Sequence, residues 1–254
     1  MQRAYSVTPC ETGRMKVIAV IPARLASTRL PRKMLREIAG VPLLAWVVRG
    51  VRRCSAVDQV IVATDSDEIL RFCEQEGFIA RMTSAAHRSG TERVHEISNA
   101  IPADIYLNVQ GDEPLTRPEH IESLIATMGP GVQVGTLKTP AAEVDVDNPN
   151  AVKVVTDATG RALYFSRATI PHDRDGVSPR YYKHLGFYGY SKDALDKFVR
   201  WPESELERSE RLEQLRFLEN GVAIHVAETP FDTVGVDTEE DVRRVEEIMR
   251  NGKN

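Results

Sequence analysis

The chain reads as an α/β protein built on a mostly parallel central sheet with helices on both faces. Three observations predict this class. Apolar runs of strand length alternate with segments of helical period through the first half of the 254 residues, and strict β-α alternation requires crossover helices between parallel strands. The helical segments each carry an apolar stripe: Leu44, Val47, Val48 and Val51 follow the i, i+3, i+4, i+7 spacing, as do Ile121, Leu124, Ile125 and Met128. From about residue 132 to 190 the pattern changes to shorter β-rich runs separated by Asn-Pro, Thr-Gly and Asp-Gly turn signals.

In chain order, residues 16–21 form a buried strand whose ladder Pro22 is expected to end, because proline supplies no donor. A helix over about 42–53 leads to a strand at 59–64, a helix over about 66–76 to a short strand near 79–82, and a helix over about 91–100 to a strand at 105–109. The next helix, about 118–128, has Pro118 suited to its first turn and Gly129 to its stop. The runs 132–137, 151–155, 162–165 and 184–190 then suggest an antiparallel insertion grafted on the parallel sheet. Leu206, Leu212, Leu215 and Leu218 indicate a helix with Glu213 and Gln214 inside it, for which a solvated face is the default reading. Thr233 to Val236 reads as strand-like, and Thr238 with Asp241 makes a capping-box start for a last helix carrying Val242, Val245, Ile248 and Met249. Residues 1–15 read as a disordered tail, leaving 16–254 as a single domain.

Composition narrows the function classes. Lys+Arg of 33 against Asp+Glu of 37 leaves a net charge of −4, without the broad cationic surface that nucleic-acid binding uses. Cys10, Cys54 and Cys73 are odd in number and widely spaced, which argues against a disulfide framework and a structural zinc site and for reduced, cytoplasmic thiols. No secretory h-region occurs in residues 1–14, and the longest apolar stretch, 41–48, is too short to span a bilayer, so neither membrane nor export is expected.

The chemistry-bearing segments sit where the predicted strands end. Between residues 20 and 35 a loop packs Arg24, Arg29, Arg32 and Lys33 into ten positions, beside the small residues Ala23, Ala26 and Ser27. Guanidinium forks and an ammonium bind phosphate oxygens by charge-assisted hydrogen bonds, so the loop reads as a triphosphate grip; the bland alternative is a solvated basic loop. The strand at 105–109 opens into Gln110-Gly-Asp-Glu-Pro114. Ligands of open α/β sheets bind outside the carboxyl ends of the strands, which puts Asp112 beside the phosphate loop as a candidate Mg²⁺ ligand. Gly111 is expected to let the backbone approach the ligand, and Gln110 to bond a base or ribose. Taken alone, Asp112 also reads as a turn aspartate and Asp237 as helix-start chemistry shared with Thr238. His87-Arg-Ser-Gly-Thr-Glu-Arg93 offers small hydroxyls and a glycine against a flat base, or simply a helix N-terminus. Neither a dinucleotide fingerprint nor a P-loop is present, and the esterase and zinc-protease motifs are absent too. What remains points to nucleotidyl transfer.

Together, the segments 22–33, 62–65, 87–93, 108–114, 148–153, 164–171, 184–190 and 212–216 resemble the 3-deoxy-manno-octulosonate (Kdo) cytidylyltransferases, collinearly over about residues 16–250. The resemblance implies a nucleotide-diphospho-sugar-transferase-like fold, a homodimer built through the β-rich 132–190 segment, and the reaction of CTP with Kdo to give CMP-Kdo and pyrophosphate for lipopolysaccharide. It implies that Ala23, Arg24, Ser27, Arg29 and Lys33 line the phosphate loop, with Arg24 and Lys33 on the triphosphate. Ser89, Thr91, Arg93 and Gln110 would hold the nucleoside, and Asp112 and Asp237 the Mg²⁺. Arg167, Arg174, His184, Tyr188, Glu213 and Gln214 would meet the sugar acid. The implied catalysis is electrostatic: Arg24, Lys33 and the Asp112–Asp237 metal stabilise in-line attack of the C2 hydroxyl on the α-phosphorus. Two departures stand out, Arg32-Lys33-Met34 after the loop proline and His172 before Asp173-Arg174. An activator of 8-amino-Kdo or neuraminate, and a non-catalytic nucleotide-binding relative, remain the alternatives.

Overall fold

The computed structural model describes residues 14–25 and 29–252, so Ser27 and nearly all of the expected tail lie outside the described residues. The strands are β1 (Val17–Ala23), β2 (Glu37–Ile38), β3 (Val41–Pro42), β4 (Gln59–Thr64), β5 (Ile79–Met82), β6 (Ile105–Asn108), β7 (Val134–Pro140), β8 (Lys153–Thr156), β9 (Ala162–Ser166), β10 (Tyr182–Tyr190) and β11 (Ile224–Glu228). The helices are α1 (Leu43–Arg52), α2 (Asp67–Gln75), α3 (Gly90–Ala100), α4 (Pro118–Thr127), α5 (Glu143–Val146), α6 (Lys192–Arg200), α7 (Glu205–Glu210), α8 (Leu215–Glu219) and α9 (Glu239–Arg250).

The central sheet runs in the order β11-β7-β10-β6-β1-β4-β5. Pairing is parallel for β1 with β4 and β6, β4 with β5, and β11 with β7; β10 is antiparallel to both β6 and β7. The sheet is therefore mixed and mostly parallel, with one reversed strand among the described path. Each face of β1 is buried against helices. Val17, Ala19 and Ile21 pack with the α1 stripe and with Ile121 and Leu124 of α4, while Ile18 and Val20 pack with Val94 and Ile97 of α3 and Leu195 and Phe198 of α6. Cys54 and Cys73 are buried free thiols.

Pro22 does not end β1, which continues to pair Pro22 with Ala63 and Ala23 with Thr64. Val109 donates its amide to the Val20 carbonyl at 3.0 Å, so Val20 turns its polar groups toward β6. Pro22, two residues on, turns the same way beyond the point where β6 stops, and its missing donor leaves no acceptor stranded. Gly111 likewise serves packing: a Cβ there would stand 2.9 Å from the Pro22 carbonyl oxygen and 3.0 Å from Met34 Sδ.

The 132–190 region contributes β7 and β10 to the central sheet itself and sends out the β8–β9 hairpin. Strand β10 pairs along β7 from Tyr182 to Tyr190 but meets β6 only over Tyr188 to Tyr190. Its first half thus overhangs the carboxyl end of β6, touching β8 there through Lys183 and Lys153. The single helix expected around Leu206–Leu218 is two short ones. Arg211 adopts a left-handed conformation, φ 56°, between α7 and α8, and the buried Arg216 guanidinium folds α8 back onto Glu207 of α7 at 2.5 and 2.7 Å. Residues 229–238 are extended without being a strand, and Thr238 and Asp241 cap α9 reciprocally.

Candidate active site

At the carboxyl ends of β1 and β6 the chain brings three predicted residues to one point. A 3-10 turn over Lys33–Leu35, entered through Arg32 in the left-handed region (φ 54°), turns the Lys33 side chain inward. Its ammonium donates to Asp112 Oδ2 at 2.6 Å and to Asp237 Oδ1 at 2.9 Å. Asp112 comes from the loop that Gly111 seats on β1. Asp237 comes from the extended segment before α9, which is tied to that loop by the Val236 amide donating to the Asp112 carbonyl at 2.9 Å. Arg29 pairs with the other Asp237 oxygen at 2.9 Å. Burial pulls the Lys33 pKa down, but the two carboxylates outweigh it and hold the ammonium above its usual range. Two hard carboxylates converging on one cation are a donor set that suits Mg²⁺.

From this point a cavity of about 960 Å³ opens under the β10 overhang toward α7 and α8. That lies near the top of the ordinary range for small-molecule sites, roughly 300–1,000 Å³. Arg29, Ser89, Gln110 and Asp112 line it together with Arg167, His184, Tyr188, Glu213 and Gln214, and the Ser89 hydroxyl reaches the Glu213 carboxylate. Three polar atoms there, Tyr188 Oη, Glu213 Oε2 and Gln214 Nε2, are buried with no partner among the described residues. Buried polar groups in native proteins are nearly always partnered, so such a cluster marks where a polar ligand sits.

The α7–α8 break is what aims Glu213 and Gln214 inward. Burial raises the Glu213 carboxyl, offset in part by the hydroxyls of Thr91 and Ser89. Thr136 Oγ1 donates to the Phe187 carbonyl at 2.7 Å, which leaves it to accept from His184 Nε2 at 3.0 Å and assigns the ring proton to Nε2. Packed edge-on against Phe165, the His184 ring is desolvated and its pKa falls to about 3. Tyr188 and Tyr190 stack 5.7 Å apart and are both raised by burial.

Of the other predicted residues, Ala23, Arg24, Thr91, Arg93 and Arg174 are outside the cavity lining and Arg167 is in it. Arg93 is fully buried, donating to Thr83 Oγ1 at 2.5 Å and Asp65 at 2.6 Å, and joins α3 to the ends of β4 and β5. Thr91 is buried behind Glu213 and Tyr190. Ala23 is buried at the end of β1, and the Arg24 guanidinium donates to the His87 carbonyl. Arg174 is exposed and outside the cavity lining. Arg167 lines the cavity while donating to three backbone carbonyls: Glu210 at 2.7 Å, Pro149 at 3.0 Å and Arg211 at 3.4 Å. The Glu210 carboxylate in turn accepts from Ser166 Oγ at 2.6 Å and the Arg167 amide at 2.9 Å.

Sequence reasoning missed Glu113 and Lys183, both in the cavity wall. Glu113 accepts from Thr233 Oγ1 at 2.5 Å; burial and then the neighbouring Asp112 charge push its carboxyl up to about 7. Lys183 is held by Asp232 at 2.9 Å and faces Asp145 at 3.6 Å. Its place in the reversed strand was the available signal, since the residues of the overhang face the strand-end cleft.

The cytidylyltransferase family model matches residues 18–224. The chain belongs to the cytidylyltransferase family. Among its relatives, a 3-deoxy-manno-octulosonate cytidylyltransferase of Koribacter versatilis is 64% identical over 243 residues, covering 95% of this chain and 93% of the relative. One of the same name from Acidobacterium capsulatum is 56% identical over 241 residues, 94% of this chain and 98% of the relative. A solved CMP:2-keto-3-deoxy-manno-octonic acid synthetase complexed with CTP superposes with a TM-score of 0.89 at 39% identity, over 93% of this chain and 99% of that one. The inositol-1-phosphate CTP transferase of T. maritima, at 14% identity and a TM-score of 0.70 over 95% and 98% of the two chains, shares the cytidylyltransferase fold.

Proposed function

We propose that this cytidylyltransferase couples CTP to 3-deoxy-manno-octulosonate, releasing pyrophosphate and giving CMP-Kdo for lipopolysaccharide synthesis. The observation that carries the reading is one cavity whose wall holds both the carboxylates of a cation–carboxylate cradle and a group of unpartnered buried polar atoms. The near-identical lengths and the names of the relatives support it.

In this reading Arg29 and Lys33 meet the triphosphate, and Ser89 and Gln110 line the nucleoside end. Asp112 and Asp237 would hold Mg²⁺, which supplies charge neutralisation at phosphate oxygens. The sugar acid lies against Tyr188, Glu213 and Gln214, with His184 neutral and donating nothing to it through the Nε2 already given to Thr136. Arg167 keeps two N–H groups beyond the three given to carbonyls, enough to receive a carboxylate as a fork. The protein's contribution is alignment of the C2 hydroxyl with the α-phosphorus and fixed positive charge opposite the leaving pyrophosphate. The homodimer is proposed on the exposed apolar residues Val144, Leu163 and Val177, which lie in and beside the β8–β9 region and are 62–76% exposed. A cytoplasmic location is proposed from the substrates and the free thiols; no helix among the described residues is long and apolar enough to cross a membrane.

A pyrophosphate-release assay tests the reading. CTP should be preferred over ATP, GTP and UTP, and Kdo over 8-amino-Kdo and neuraminate. Release with neuraminate but not Kdo, or none with any sugar acid, would refute it.

A further inference from the structure

We infer that Lys33 is an internal stand-in for the metal: its ammonium holds Asp112 and Asp237 together until a triphosphate draws it away, so that metal and nucleotide enter the site as a coupled pair. The inference rests on the proposed function in taking the two aspartates as the Mg²⁺ ligands.

Three features of the structure lead there. Lys33 Nζ lies within 2.6 and 2.9 Å of one oxygen from each carboxylate, and the side chain is only 10% exposed. Two carboxylates aimed at one point repel unless a cation lies between them, and here that cation is the ammonium itself. An ammonium and a divalent ion cannot share the position, because like charges at that separation oppose each other. The arm is also able to leave. Its base is fixed by the 3-10 turn after Arg32, while four methylenes carry a compact charge that can re-aim. Asp237 also pairs with Arg29 through its second oxygen at 2.9 Å, so the ammonium is not that carboxylate's only cationic neighbour. When triphosphate oxygens offer Lys33 a new anionic partner, the cradle is released to the metal. By linkage, metal bound there must raise triphosphate affinity by the same factor.

The test uses Mn²⁺ alone, without nucleotide, with free ion counted by electron paramagnetic resonance. Lys33→Met removes the competing charge and should bind one Mn²⁺ on the order of tenfold or more tighter than the unaltered chain, the range of ordinary coupling between sites. Lys33→Arg retains a cation and should stay near the unaltered chain, and adding Asp112→Asn to Lys33→Met should abolish the gain. A second measurement needs no variant: acylation of Lys33, followed by peptide mass spectrometry, should accelerate when Mn²⁺ saturates the site. Equal Mn²⁺ affinity in folded Lys33→Met and the unaltered chain, or a labelling rate unmoved by saturating Mn²⁺, would overturn the inference. Pyrophosphate release by the unaltered chain, run in parallel, separates the two ideas: its absence refutes the proposed function, and its presence with an unchanged metal affinity refutes the stand-in alone.

Discussion

Replacing Arg167 with lysine should do two things at once. The guanidinium ties the end of β9 to the α7–α8 corner through the carbonyls of Glu210 and Arg211, and to the segment before β8 through that of Pro149. A lysine can keep one of these bonds. Bonds from a charged group contribute about 1.5–3 kcal/mol each, but one of the three is 3.4 Å long and two reach solvent-facing carbonyls, so the loss comes to about 2 kcal/mol. For a chain of this size each kcal/mol moves the melting temperature by roughly 2–4 °C, which predicts a fall of about 4–8 °C. The same change removes the bidentate fork, so KM for Kdo should rise while KM for CTP stays put. Differential scanning calorimetry beside steady-state kinetics with each substrate varied reads both. A melting temperature within 1 °C of the unaltered chain would refute the clamp, and an unchanged Kdo dependence in a folded variant would take Arg167 out of the acceptor site.

Asp112→Asn should leave the far-ultraviolet circular dichroism spectrum unaltered and abolish turnover, because an amide is a poor Mg²⁺ ligand; near-normal rates at limiting Mg²⁺ would remove Asp112 from that role. With its pKa near 3, His184 stays neutral in the fold while the unfolded chain takes up a proton below about pH 6.5, so it favours folding above that pH and the advantage drains as pH falls toward 3. The slope is at most about 1.4 kcal/mol per pH unit; His184→Gln should flatten urea-derived stability over pH 4–6, and a ring proton shift that titrates near 6.5 by NMR would contradict the burial. Gly111→Ala forces a Cβ against the Pro22 carbonyl and Met34, an overpacking expected to cost about 1–3 kcal/mol and to move Asp112; a variant with full stability and activity would show that this packing is slack.

Much of the fold was legible because its signals are local. The β-α alternation, the stripes of α1 and α4 and the Thr238–Asp241 cap need only neighbouring residues, and each appears within a residue or two of its expected bounds. Pro22 was misjudged because whether a missing donor matters depends on which neighbour lies on that side, a fact of topology. The helix through Glu213 and Gln214 failed for a reason visible afterwards: Leu206 to Leu212 is a spacing out of phase with a helical turn, and Leu206 is partly exposed. Lys33, Asp112 and Asp237 are each readable in the sequence as candidate site residues. Their meeting is not, since the contact joins positions 79 and 204 residues apart. Arg93 carries the right chemistry for a ligand, and the structure pairs it with Asp65, a long-range partner that a linear motif does not display.

The overhang of β10 divides the molecule by stiffness. Where Tyr188 to Tyr190 lie between β6 and β7, the strand is bonded on both edges; from Tyr182 to Phe187 the second edge has only the Lys183–Lys153 pairing with β8 and the His184 amide on the Val152 carbonyl at 2.8 Å. Local opening takes the segments with fewest shared bonds first, so amides of the overhang should exchange with solvent well before those of β1 and β6. On the proposed reading Lys183 and His184 of the cavity wall stand on the part that yields, and Tyr188 on the part that does not. A change of acceptor can accumulate in that yielding wall while β1 and β6 keep their geometry, which gives this architecture a way to serve different sugar acids without rebuilding its core.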